Sequence, residues 1–370
     1  ANQGIVIYDF TDYDITGVED DIHQYQIYYT TPYWRAANDV WVDGDYLYVA
    51  DQDYGLLVFD VTHPEACEDP CTPQRVGEFP WIGHGDVHFH ARGICGTGDW
   101  VYVSTRYLED PENPIGFLDV FDCTDPTGEI PLYSTTYDLK GLDQSALHGN
   151  WVIYVSGTAG RDYSHMACQQ VAERVEPSSY SHLEFSPLPH SFTIVGNYAF
   201  VTSSGVLRVI DVTDPEFPTN VSSFHPGPSY HPTGIAAAGN YLYFADEEGL
   251  WVVNITKPED ITPDDFNLIS SFPGYLRGEV AISGNYLYTF LDKENDFWRQ
   301  VYDLSDAFNP TAAGCIRLNS PYANPPRELS DYSPLIEIAG DTAYVAIAFN
   351  GYYTYKMSFE EGSCEIGPLY

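Results

Sequence analysis

The chain has 370 residues, 44% hydrophobic and 15% aromatic, with 31 tyrosines, enough apolar side chain for a large core and a composition that favours strands over helices. Against 15 basic residues stand 54 acidic ones, a formal net charge of −39, which argues against nucleic-acid phosphates or an anionic membrane surface as partners. No apolar run approaches the roughly 18 residues that span a bilayer, and neither end carries a lipidation signal.

In chain order, Gly4-Ile5-Val6-Ile7-Tyr8-Asp9-Phe10-Thr11-Asp12 reads as the third strand of a repeating unit and Gln24-Tyr25-Gln26-Ile27-Tyr28-Tyr29 as a fourth. A first and second strand are missing from that unit. Gly44-Asp45-Tyr46-Leu47-Tyr48-Val49 then opens a phrase that returns at Gly98-Asp99-Trp100, Gly149-Asn150-Trp151, Gly196-Asn197-Tyr198, Gly239-Asn240-Tyr241, Gly284-Asn285-Tyr286 and Gly340-Asp341-Thr342. Glycine followed by Asn or Asp between apolar runs is a two-residue hairpin turn, because glycine accepts the positive φ such turns need. A third strand follows most copies, as in Gly55-Leu56-Leu57-Val58-Phe59-Asp60-Val61-Thr62 and Gly205-Val206-Leu207-Arg208-Val209-Ile210-Asp211-Val212-Thr213-Asp214-Pro215, and it ends in a polar turn, often with proline.

Successive turn glycines lie 43 to 56 residues apart, the length of a four-stranded propeller blade. With these phrases the chain resembles the LVIVD-repeat propeller family, best over residues 44–64 and 196–215 and least over 156–186. The resemblance implies an all-β fold, a seven-bladed β-propeller of four-stranded antiparallel blades in a single domain over residues 1–370. It is silent about function, since propellers host binders and enzymes alike.

The orphan strands in residues 1–32 have two readings. They complete the last blade, whose first strands come from residues 335–349, or a strand such as Ile5-Val6-Ile7-Tyr8 pairs with the open edge of a neighbouring molecule. Gly351-Tyr352-Tyr353-Thr354-Tyr355-Lys356 near the C-terminus supplies more strand than one ring needs. The first residue, Ala1, as in a chain trimmed of a leader, agrees with an extracellular or cell-surface location, as do seven cysteines and the sequons at Asn220 and Asn254.

The odd cysteine count leaves at least one thiol unpaired within the chain. Cys67 with Cys71 flanks a short turn, while Cys123 with Cys168 and Cys315 with Cys364 join neighbouring blades; Cys95 is then the free thiol, in an inner strand. His88 and His90 stand two apart on a strand and form the one metal-like cluster. His90 and His231 each stand eight residues before a turn glycine, which points toward a central funnel together with Arg92 and Arg277. The distributed acid reads as a solvated coat, with calcium sites as the alternative, and no other cofactor is indicated.

Templates for catalysis are missing: there is no Gly-x-Ser-x-Gly elbow, His-Glu-x-x-His, phosphate loop or dinucleotide fingerprint. The expectation is a non-enzymatic, extracellular interaction or structural protein whose partners are proteins, including copies of itself. The competing expectation is a propeller that holds a ligand or metal in its funnel.

Overall fold

The computed structural model describes residues 3–9, 23–29, 37–51, 55–62, 75–80, 89–107, 115–139, 144–157, 164–170, 180–186, 189–203, 205–225, 232, 234–246, 249–270, 275–293, 296–318, 335–339 and 342–346. These residues form an all-β fold. Strands β1 (Gln3–Asp9) and β2 (His23–Tyr29) open the chain. A second group holds β3 (Ala37–Asp43), β4 (Tyr46–Asp51), β5 (Gly55–Asp60) and β6 (Arg75–Pro80), and a third β7 (Phe89–Thr97), β8 (Trp100–Tyr107), β9 (Ile115–Asp122), the short β10 (Gly128–Glu129) and β11 (Leu132–Leu139). Then come β12 (Gln144–His148), β13 (Trp151–Gly157), β14 (Ser164–Gln170) and β15 (Tyr180–Phe185), followed by β16 (Pro189–Val195), β17 (Tyr198–Ser203), β18 (Val206–Asp211) and β19 (Thr219–Phe224). The last groups are β20 (Gly234–Ala238), β21 (Tyr241–Asp246), β22 (Gly249–Asn254) and β23 (Phe266–Ser270); β24 (Tyr275–Ser283), β25 (Tyr286–Lys293), β26 (Asp296–Asp303) and β27 (Thr311–Leu318); and β28 (Leu335–Ala339) with β29 (Thr342–Ala346).

Each group of four is an antiparallel meander. The exception is the terminal sheet, ordered β2-β1-β29-β28, in which Ile5 to Asp9 pair antiparallel with Ala346 to Thr342. In the described chain β1 thus lies between β2 and β29.

The hairpin turns follow from glycine chemistry. Gly44, Gly98, Gly149, Gly196, Gly239 and Gly284 all have φ between 53° and 58°, a left-handed conformation that side chains with a Cβ rarely adopt. They fix the register of the strands on either side, for example Asp43 opposite Tyr46 and Val195 opposite Tyr198.

The third strands end in a repeated lock. Asp60, Asp122, Asp211, Asn254 and Asp303 each accept, through Oδ1, the backbone N–H of the residue two further on, at 2.7 to 3.1 Å. The residue between is apolar and buried: Val61, Cys123, Val212, Ile255 or Leu304. Its own N–H reaches back to the hairpin turn of the same sheet, as in Val61 to the Asp45 carbonyl and Ile255 to that of Asn240, both 2.8 Å. One short phrase thus satisfies the donors at the strand end while burying an apolar plug.

The core lies between sheets rather than within them. Tyr48, Leu56 and Val58 of one sheet pack against Ile94, Val103, Phe121 and Ile130 of the next. Equivalent clusters join the third sheet to the fourth, the fourth to the fifth, the fifth to the sixth and the sixth to the seventh. Both faces of the central strands are covered, so β4, β5, β17 and β21 read as continuous apolar runs instead of alternating ones. Full burial of a side chain such as Leu56 or Phe121 contributes about 1.5–3 kcal/mol.

The loop after each of several third strands leans back onto the preceding sheet. β10 pairs parallel with β6, the Ile130 amide donates to the Glu78 carbonyl at 2.9 Å, and Ile130 is fully buried. Similarly, the Tyr243 hydroxyl donates to the Ala307 carbonyl at 2.8 Å, and Asn267 Nδ2 to that of Phe308 at 2.6 Å. Gly77 on β6 has no room for a side chain, because a Cβ would run into the Pro126 carbonyl.

These loops tie neighbouring sheets together. Cys123 and Cys168 are free and buried, which corrects their expected pairing. Cys123 plugs the layer between the second and third sheets, whereas Cys168 packs with Phe192 and Ala199 between the fourth and fifth.

Candidate functional site

The first strands of the meanders lie side by side: β3 against β7, β7 against β12, β12 against β16, β16 against β20, β20 against β24, β24 against β28 and β28 against β3. Six of them, β3, β7, β12, β16, β20 and β24, line a cavity of about 370 Å3. Asp39 on β3, Arg92 on β7, Gln144 and Ser145 on β12 and Thr193 on β16 make a polar arc, interleaved with Val40, Trp41, Ile94, Ala146 and Phe192; β20 and β24 contribute Ile235, Ala236, Ala237, Val280, Ala281 and Ile282.

Hydrogen bonds define what the polar arc presents. Asp39 accepts the Val40 N–H through Oδ1 and, across the boundary to the next sheet, the Ile94 N–H through Oδ2, both at 2.9 Å. Beside it, the buried Asn38 donates from Nδ2 to the Ala91 carbonyl at 2.5 Å. Gln144 repeats the latch between two other sheets, its Oε1 accepting the Phe192 N–H at 3.3 Å. First strands expose one row of backbone groups to the axis, and these side chains satisfy some of them. The acceptor atoms of Asp39 and Gln144 are therefore engaged by backbone, and the Gln144 amide nitrogen is left as a donor. Ser145 faces the Cys95 thiol, which burial pushes up to about 12.

Of the residues expected at the funnel, the structure places Arg92 in the cavity wall. His90 and Arg277 lie on β7 and β24, opposite Arg106 and Phe290, with side chains outside the described residues. His88 and His231 also fall outside the described residues, as do Cys67, Cys71 and Cys364; Cys315 is on β27 opposite Gln300, its side chain likewise outside them. Cys95 is a free, buried thiol. Among the described residues, no group of three His, Cys, Asp or Glu has the proximity to hold a metal ion.

The two sequons differ. Asn220 is exposed on β19, an outer strand, next to Val221, the extra residue of a β-bulge. Asn254 is one of the third-strand locks, its Oδ1 accepting the N–H and hydroxyl of Thr256 at 2.9 and 2.7 Å. Of the assembly-strand residues, Ile5, Val6, Ile7 and Tyr8 lie on β1 opposite Ala346, Val345, Tyr344 and Ala343.

Asp39, Gln144, Ser145 and Thr193 were not singled out in the sequence. A signal existed: Asp39 and Gln144 each stand five residues before a turn glycine, at Gly44 and Gly149.

The model of the LVIVD repeat matches residues 35–71, 190–225, 231–261 and 277–313. The chain is an LVIVD-repeat protein. Each matched stretch of this LVIVD-repeat chain holds an intact hairpin turn and a third-strand lock. No curated protein matches it. Among solved structures it is similar to a functionally unknown protein from Desulfotomaculum acetoxidans DSM 771, at 16% identity and a TM-score of 0.57, over 84% of this chain and 94% of that one. A computationally designed protein, Ika8, aligns at 9% identity with a TM-score of 0.46, over 85% of this chain and 97% of that one. The first likeness is one of fold.

Proposed function

We propose that the LVIVD-repeat chain is an extracellular, non-enzymatic interaction protein: a rigid seven-bladed propeller, closed by β1 on β29, that engages other proteins and further copies of itself. The pairing of β1 with β29 carries this reading. That ladder joins segments remote in sequence, and the same hydrogen bonds are available when β1 comes from another molecule. Cores between successive sheets and loops that lean back onto the preceding sheet supply the rigidity that an interaction disc requires.

The test uses Val6→Cys with Val345→Cys, two positions in register on β1 and β29, combined with size measurement by light scattering across a salt and calcium series. Salt screens the −39 charge, so larger species are expected as ionic strength rises, with covalent multimers in the oxidised double variant. Monomers under every condition, with the new disulfide always inside one chain, would overturn self-association.

The cavity favours a second reading, in which the channel holds a ligand. Its volume is within the range of small-molecule sites, and polar groups such as Arg92 and Gln144 line it together with apolar ones such as Phe192 and Val280.

A further inference from the structure

We infer that Asn220 carries an N-linked glycan, and that the sugar guards the open edge of the fifth sheet. This builds on the extracellular reading above and adds a modification site.

Two acceptor tripeptides exist, Asn220-Val221-Ser222 and Asn254-Ile255-Thr256, and the fold separates them. Every residue of the second has structural work. Asn254 is half-buried and its Oδ1 takes both the N–H and the hydroxyl of Thr256, while Ile255 is buried with its N–H on the Asn240 carbonyl at 2.8 Å. The first tripeptide stands on β19, the edge of a sheet ordered β16-β17-β18-β19, with Asn220 and Val221 exposed. Its middle residue is out of the ladder: Val209 pairs with Ser222 and Ile210 with Asn220.

The Asn220 amide has the hydrogens the chemistry needs. Its Nδ2 donates to Ser223 Oγ at 3.2 Å, and a primary amide has two N–H groups, so replacing one leaves the other for Ser223. The co-reactant is a lipid-linked sugar phosphate. A bond forms between Nδ2 and the anomeric carbon, the bond from that carbon to the phosphate oxygen breaks, the lipid phosphate leaves with the electron pair, and the amide proton passes to a base of the transferase.

The neighbourhood shows what the sugar would do. Three large hydrophobic side chains are exposed among the described residues, and two of them, Phe217 at 72% and Val221 at 36%, flank Asn220. Strand β19 reads Thr-Asn-Val-Ser-Ser-Phe and has no charged side chain, although charge is a common means of keeping an edge strand from pairing. A bulky, hydrophilic sugar at Asn220 covers the apolar pair and the edge together.

The test secretes the full chain from a eukaryotic cell line that glycosylates its secreted proteins, and maps peptides by mass spectrometry before and after glycosidase treatment. The Asn220 peptide is expected to carry sugar and the Asn254 peptide to be bare. Asn220→Gln and, independently, Ser222→Ala are expected to lose the whole glycan mass and to give larger species in light scattering at matched ionic strength; adding Phe217→Ser is expected to return them to the parent size. A bare Asn220 in the secreted chain would overturn the site, and glycan-free variants no larger than the parent would overturn the guarding role. Fractionation of the native chain separates the two readings: recovery from outside the cell with Asn220 bare would overturn the modification alone, whereas recovery from the cell interior would overturn the extracellular reading and the modification with it.

Discussion

The Cys123 amide donates to the Asp99 carbonyl at 2.6 Å, the same bond that Val212 makes to Asn197 at 2.8 Å and Leu304 to Asn285 at 2.7 Å. Cys123 therefore occupies an apolar seat set by the repeat. Cys123→Val is expected to leave stability within about 1.5 kcal/mol of the parent, whereas Cys123→Ser, which buries a hydroxyl in that seat, is expected to cost about 1–3 kcal/mol. Urea unfolding midpoints measure both; a larger loss for Val than for Ser would show that the seat is not apolar.

The three described thiols resist chemistry in the folded protein. Burial pushes Cys95, Cys123 and Cys168 up to about 12, so at pH 8 the thiolate fraction is on the order of 10⁻⁴. Ellman's reagent followed by peptide mapping is expected to find these three unmodified in the native state and fully modified in denaturant. Rapid native labelling of any of them would contradict the packing described.

Gly77→Ala tests the backward-leaning loop. Its methyl group has to displace the Pro126 carbonyl, loosening Ile130 in its pocket and the β10–β6 pairing. A loss of about 1–3 kcal/mol is expected, together with faster amide exchange at Ile130, which donates across this junction.

The Asp303 lock and a similar turn at Asp125, in the loop after β9, also carry a pH signature. Asp125 and Asp303 are held below the ordinary carboxylate range, first by the side chains and then by the N–H groups of Thr127 and Ser305. A carboxylate whose folded value is depressed contributes stability that is present above its unfolded value, about 3.9, and is lost as pH falls through the folded one. Asp303→Asn keeps the acceptor and removes the titration, as Asn254 already does in its own sheet. The urea midpoint of Asp303→Asn is expected to fall less steeply than the parent's below pH 4. Identical slopes would mean that this lock has no proton linkage.

Much of the fold was legible because turns and locks are local. Gly44 and its counterparts announce each hairpin, and Asp60-Val61-Thr62 announces the end of a third strand. The cysteines misled because Cys123 and Cys168 were judged by the neighbourhood of their sheets, while the seat of Cys123 was readable from its alignment with Val61 and Val212. The cavity was harder to see. Asp39 and Gln144 look like ordinary polar residues in a strand, and their work depends on the next sheet presenting the Ile94 and Phe192 amides, a relation that spans 55 and 48 residues.

The β1–β29 ladder has a temporal side. Asp9 meets Thr342 and Ile5 meets Ala346, yet a ribosome delivers the first of each pair long before the second. During synthesis the early hairpin has no ladder to join, while sheet after sheet forms behind it from local contacts. Non-local pairing of this kind is slow and leaves strand edges open to intruders. An edge strand left waiting in this way is the ordinary template for pairing with another chain.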